Sequence, residues 1–155
     1  MATFYRLVRL IESHSKGLGS CLLVRVNNSE ATSDYSRVPS EDLHEWVHEI
    51  YRHLGEWLMT RDGFDLEERY LRIGAHRAKQ NVPFSQVSWG IVLAKDNLWE
   101  FLRTHSEMDC PPEACDELET LQLLDHFFDR AIYYAAIGHE KACAKIEMEK
   151  LRATA

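Results

Sequence analysis

His44-Glu45-Trp46-Val47-His48 is a literal H-E-x-x-H. On a helix, two histidines one turn apart hold a zinc ion while the glutamate between them polarises its water, the chemistry of a metal-dependent hydrolase. Glu68 follows 20 residues after the second histidine, where a third ligand can come from. The helical wheel opposes this reading. The apolar face of the segment centres on Leu43, Val47 and Leu54. His48 falls well off that face, Glu45 points almost directly away from it, and Glu49 adds a charge beside the second histidine. A hydrolytic zinc needs all three groups turned into a shaped, partly dry cleft. A solvated helix face is expected, with no metal; zinc at His44 and His48 is the alternative.

His76 sits shortly before Pro83, a place from which an imidazole can ligate haem iron. On the wheel it groups with Arg69, Arg72 and Lys79, so an exposed histidine is expected and a haem ligand is the alternative. Arg77 is odder, because it falls among Leu66, Tyr70 and Ile73 on an apolar face. A buried guanidinium needs a carboxylate or several carbonyls, and Asp96 or Asp125 is available. The plainer expectation is a packed stem with its head in water. Asp125 with Asp129, and His139 with Lys141, read as solvated faces of a helix that also carries His126, Tyr133 and Tyr134. No Gly-rich phosphate loop, G-x-S-x-G elbow or Cys–His–acid signature occurs. No catalytic residue is assigned, no cofactor is expected, and the chain reads as a non-enzyme.

The elements that position these residues are all helical. A first helix covers residues 3 to 13, weakened afterwards by Gly17 and Gly19, and Cys21 to Val26 is expected to continue it after a kink, with a short strand as the alternative. Asn27 to Val38 has no period and reads as a loop. Pro39-Ser40-Glu41-Asp42 opens a second helix with Ser40 as N-cap, and Leu43, Trp46, Val47, Ile50, Leu54, Trp57 and Leu58 line one face. Arg61-Asp62-Gly63 ends it, and Asp65 caps a third helix that runs to Gln80-Asn81-Val82-Pro83. A fourth starts at Phe84 or Ser85 and is apolar on more than one side, so it is buried or shared with a partner. Val87, Ile91 and Leu98 fill one side of it, leaving Trp89 and Leu93 on the other, with Trp99 and Phe101 beyond. Core packing is the first reading of these; a homodimer seam or an apolar ligand pocket is the alternative. Thr104 to Pro112 reads as a second loop. Glu113 to Leu151 then forms one long helix, or two nearly collinear ones hinged at Gly138, with a charged end that projects from the core.

The 155 residues suit one domain, residues 1–155, with 45% hydrophobic and 28% charged residues. A formal charge of -7 makes a phosphate backbone an unfavourable partner, and no basic run suits an anionic membrane. The four cysteines are scattered without a C-x-x-C pair, the start has no apolar signal core, and no window reaches the ~20 apolar residues of a bilayer span. A cytoplasmic protein is expected, with neither nucleic acid nor membrane as partner.

Val38-Pro39-Ser40-Glu41-Asp42-Leu43, Ile50-Tyr51-Arg52-His53-Leu54-Gly55-Glu56-Trp57-Leu58, and Arg77-Ala78-Lys79-Gln80-Asn81-Val82-Pro83 with the helix through Trp99 carry a likeness. The chain resembles the N-terminal sensory domain of the RsbR-type co-antagonist (RsbRD) family, found in stressosome proteins and in front of some sensor kinases. The family's corner typically reads R-A-E-Q-G-V-P, so Asn81 stands where a glycine is usual; asparagine is the next-best residue for a left-handed conformation. The resemblance implies an all-α, globin-like domain without haem, usually dimeric, that signals through its C-terminal helix to an output domain such as a STAS or kinase module. The chain is then an excised sensor or a stand-alone relative. Haem-binding globin-coupled sensors have a similar corner, but here His76 comes one position early and Arg77 occupies the register of the proximal histidine. The expectation is an all-α bundle of about five helices with a long last helix, homodimeric, contacting ligand or partner through Arg77, Trp89, Leu93, Trp99 or Tyr133.

Overall fold

The computed structural model describes residues 2–105 and 114–154. The described residues form α1 (Ala2–Ser13), α2 (Ser15–Asn28), a 3-10 segment (Glu30–Arg37), α3 (Ser40–Thr60), α4 (Gly63–Lys79), α5 (Phe84–His105) and α6 (Ala114–Ala153). The fold is all-α, as the periodicity requires. The break after α1 falls at His14 (φ -109°, ψ 12°) and not at the glycines, which lie inside α2. Residues expected as a loop between α2 and α3 coil instead into the 3-10 segment, because Thr32 Oγ1 donates to the Val26 carbonyl at 2.7 Å and Tyr35 turns into the core.

Helix ends follow local chemistry, with two corrections. Pro39 and not Ser40 is the N-cap of α3, and no side chain caps it. Arg61 closes α3 in the left-handed region (φ 52°), and Asp62, not Asp65, caps α4 by accepting from the Phe64 amide at 3.1 Å. Asp65 faces Arg69 instead, at 3.5 Å. At the far end of α4, Asn81 adopts φ 60°. The Val82 amide bonds the Arg77 carbonyl at 3.0 Å and the Asn81 amide bonds that of Ala78 at 3.1 Å. That pair of bonds around a left-handed residue is a Schellman stop, and Pro83 prevents any continuation. The expected second loop falls largely outside the described residues, since α5 continues through His105.

Packing is organised on α6. It lies along α4 for much of its length and also touches α5, α1 and α3, while α2 packs on α3 and α5. Phe127 and Phe128 of α6 are fully buried, Phe127 meeting Trp57 at 5.5 Å and the edge of Tyr70 at 6.2 Å. A buried polar knot ties the other side: Asn97 Nδ2 donates to the Leu18 carbonyl (3.0 Å) and to Tyr51 Oη (2.9 Å), and Tyr51 donates to the Ala94 carbonyl (2.8 Å). Burial keeps the Tyr51 hydroxyl protonated well beyond the ordinary tyrosine range, so it remains the donor.

Helix α6 is unbroken, so Gly138 is no hinge. Its use is contact. A Cβ on Gly138 would collide with the Leu71 carbonyl of α4, and a Cβ on Gly74 with the Ala135 carbonyl of α6. Each helix thus offers a glycine where the other presents backbone. Gly74→Ala or Gly138→Ala is expected to destabilise the fold by about 1–3 kcal/mol, the cost of forcing a methyl into a filled contact. Gly17→Ala, with open space around it, should stabilise by about 0.4–1 kcal/mol. Urea unfolding of the three variants checks the sign and the order.

Candidate functional site

Arg77 is 4% exposed, so head as well as stem is buried. Neither carboxylate expected for it is there: Asp125 pairs with Lys95 at 2.9 Å, and Asp96 is exposed. Arg77 Nη1 donates instead to Gln80 Oε1 at 2.9 Å, and Gln80 Nε2 donates to Asp42 Oδ2 at 3.0 Å. The glutamine carries the cation's field to a carboxylate on another helix. The guanidinium carbon lies 5.8 Å from the Tyr35 ring centroid. Burial pushes the Tyr35 hydroxyl up to about 12, and Arg77 beside it offsets part of that. The last turn of α4 faces the 3-10 segment, which is why an arginine on an apolar stripe is shielded there.

In front of Arg77 runs a groove of about 240 Å³ between α3 and α4, lined among others by Trp46, Glu49, Ile50, Tyr70 and Ile73. His53 bridges its walls. Nδ1 donates to Glu56 Oε2 at 3.1 Å, and Nε2 accepts from Arg69 Nη1 at 2.6 Å, a pattern that fits the neutral Nδ1–H tautomer. Beyond Arg69 the cleft opens into a second space of about 460 Å³ beside Trp57 and Phe127. Three buried donors along this line, Trp46 Nε1, Arg69 Nε and Trp57 Nε1, have no hydrogen-bond partner among the described residues. A buried donor left unpaired costs about 1–3 kcal/mol.

The remaining sequence candidates are dispersed. His44 and Glu45 are exposed, His48 is half-buried over Gly19, and the two imidazole centroids lie 6.3 Å apart. Glu68 pairs with Arg72 at 3.4 Å on its own helix. Among the described residues no group of three or more His, Cys, Asp or Glu side chains can hold a metal ion. His76 is exposed on α4 at the groove, next to the buried Arg77. Trp89 is 43% exposed and Tyr133 61%, while Leu93 and Trp99 are half-buried against the core. None of these four lines the groove.

His139 corrects the expectation of a solvated face. It is 8% exposed, with Nε2 at 2.7 Å from the Val82 carbonyl and Nδ1 at 3.5 Å from Cys143 Sγ. The ring therefore donates to the α4–α5 corner and fixes it to α6. The signal was present in the sequence, because His139 sits at helical spacing from Ala135 and Ala142. Gln80→Leu removes the relay between Arg77 and Asp42 with little change in volume. A loss of about 2–3 kcal/mol in unfolding free energy is expected in urea denaturation.

No curated protein and no solved structure matches the chain. Residues 22–154, however, match a family described as the RsbT co-antagonist protein rsbRD N-terminal domain. The matched stretch takes in α3, both walls of the groove, the Asn81 corner and α6. The chain belongs to the rsbRD N-terminal domain family of RsbT co-antagonist proteins.

Proposed function

We propose that this chain is a non-enzymatic sensory domain of stressosome-type signalling, which homodimerises in the cytoplasm and passes a signal through α6 to an output domain or partner. Family membership supports the signalling role, and the family is a regulatory one and not one of enzymes. The observation that carries the relay is the path of α6. The helix meets α4 backbone to backbone at Gly74 and Gly138, takes the corner through His139, and then continues to Ala153 with an exposed, charged surface. Ala142 is the last residue of α6 buried in the core, and Met148 and Leu151 beyond it are exposed.

Exposed aromatic side chains support self-association. Trp89 stands out from α5 beside half-buried Leu93, and Tyr133 stands out from α6. Large aromatics of this kind are the side chains most often central to a protein interface. No helix of the described residues is long and apolar enough to cross a membrane.

Light scattering across micromolar concentrations is expected to give a dimer mass. Trp89→Glu, on an exposed position, should weaken that dimer by at least about tenfold, the loss of one hot-spot contact, while leaving the helical circular dichroism unchanged. A strict monomer at high micromolar concentration would remove dimerisation from the proposal.

A further inference from the structure

We propose that the groove between α3 and α4 is a binding site for a small carboxylate, held by the Arg77 guanidinium and the Trp46 indole N–H. Two independent observations point there. First, Arg77 is a nearly fully buried cation with no carboxylate within ion-pair distance among the described residues, and it lines the groove. The groups it meets, Gln80 and the Tyr35 hydroxyl, are neutral. Second, Trp46 is 6% exposed, lines the same groove, and its indole N–H has no partner among the described residues. A buried cation without an ion pair on α4 and an unpaired donor on α3, with space between them, are what an incoming pair of carboxylate oxygens would satisfy.

The charges around the groove select the ligand class. Its acidic residues are mostly engaged: Asp42 accepts from Gln80, and Glu49 lies 3.5 Å from His53 and 3.8 Å from Arg69. Glu45, exposed on the rim, has no ion pair among the described residues. A planar guanidinium fork suits carboxylate or phosphate geometry equally. One buried arginine behind an acidic rim favours a singly charged head over a doubly charged one, and the small volume favours a short apolar tail against Ile50 and Ile73. Arg69, whose buried Nε is also unpartnered, lines both this groove and the adjoining space, so a longer ligand can extend past it.

Acetate and butyrate titrated against the full chain, with sodium chloride at matched ionic strength, test the site. The readout is the indole ¹H–¹⁵N resonance that disappears in Trp46→Phe. A saturable shift of that resonance with the carboxylates and not with chloride is expected, tighter for butyrate than for acetate. In calorimetry, Trp46→Phe should weaken binding roughly five- to tenfold, the loss of one hydrogen bond to a charged acceptor. Glu45→Gln, which lies outside the core, should strengthen it about two- to threefold by removing rim repulsion. An indole resonance that does not move, or moves equally with chloride, overturns the site. Unchanged affinity in both variants does the same. The site is independent of the relay: carboxylate binding that leaves dimer mass and α6 hydrogen exchange unaltered keeps the groove and removes only the signalling route.

Discussion

The backbone contact between α4 and α6 is the constraint on which the other features depend. Helices usually meet through a layer of side chains, and that layer allows small sliding motions as rotamers adjust. Here Gly74 faces the Ala135 carbonyl and Gly138 faces that of Leu71, so carbonyl oxygens occupy the space a methyl would need. Ala131, Ala135 and Ala142 keep the rest of that α6 face small. At these two points no layer of side chains separates α4 from α6. The His139 bond to Val82 adds a second fixed point, at the corner where α4 gives way to α5.

This closeness explains the fate of Arg77. Around Gly74 the side of α4 that meets α6 is taken up by backbone contact, while Tyr70 meets Phe127 of α6 and Arg77 turns toward the 3-10 segment. A guanidinium there must be neutralised without an adjacent carboxylate. Gln80 solves this with one amide, accepting from Arg77 and donating to Asp42, while the Tyr35 ring covers the cation. Such a relay is weaker than a bidentate ion pair. It leaves a cation without an adjacent carboxylate at the wall of a groove.

What was legible in the sequence was what local periodicity and stop signals encode. The apolar stripe of α3, the end of α4 at the Asn81 corner and the long last helix follow from spacing, a left-handed asparagine and a proline, all local causes. The exposed Glu45 also follows from its wheel position. What was not legible depends on partners distant in the chain. Tyr35 lies in a polar, aperiodic stretch and is buried only because Arg77 and α5 come to meet it. Spacing put Arg77 on a buried face but could not show that its partner would be Gln80, one turn on, and not Asp125. Gly138 read as a possible hinge because a glycine's flexibility is visible in one sequence, whereas the absence of a side chain matters only once α4 is beside it.

The two walls of the groove are held by different kinds of force. One wall, α4, is fused to α6 by close packing; the other, α3, rests on α2 and α1. Across the gap the links are polar and partly solvated: Gln80 to Asp42, and Arg69 to His53 and Glu49. The partly exposed Arg69 bridges contribute little net stability and exchange readily with water or another charged group, whereas the Gln80–Asp42 bond, behind the buried Arg77, contributes more. Separation of the walls is therefore cheap compared with separation of α4 from α6. The groove and α6 thus share α4 as a common neighbour, and the differential affinity needed to drive any shift of that helix must come from whatever occupies the groove.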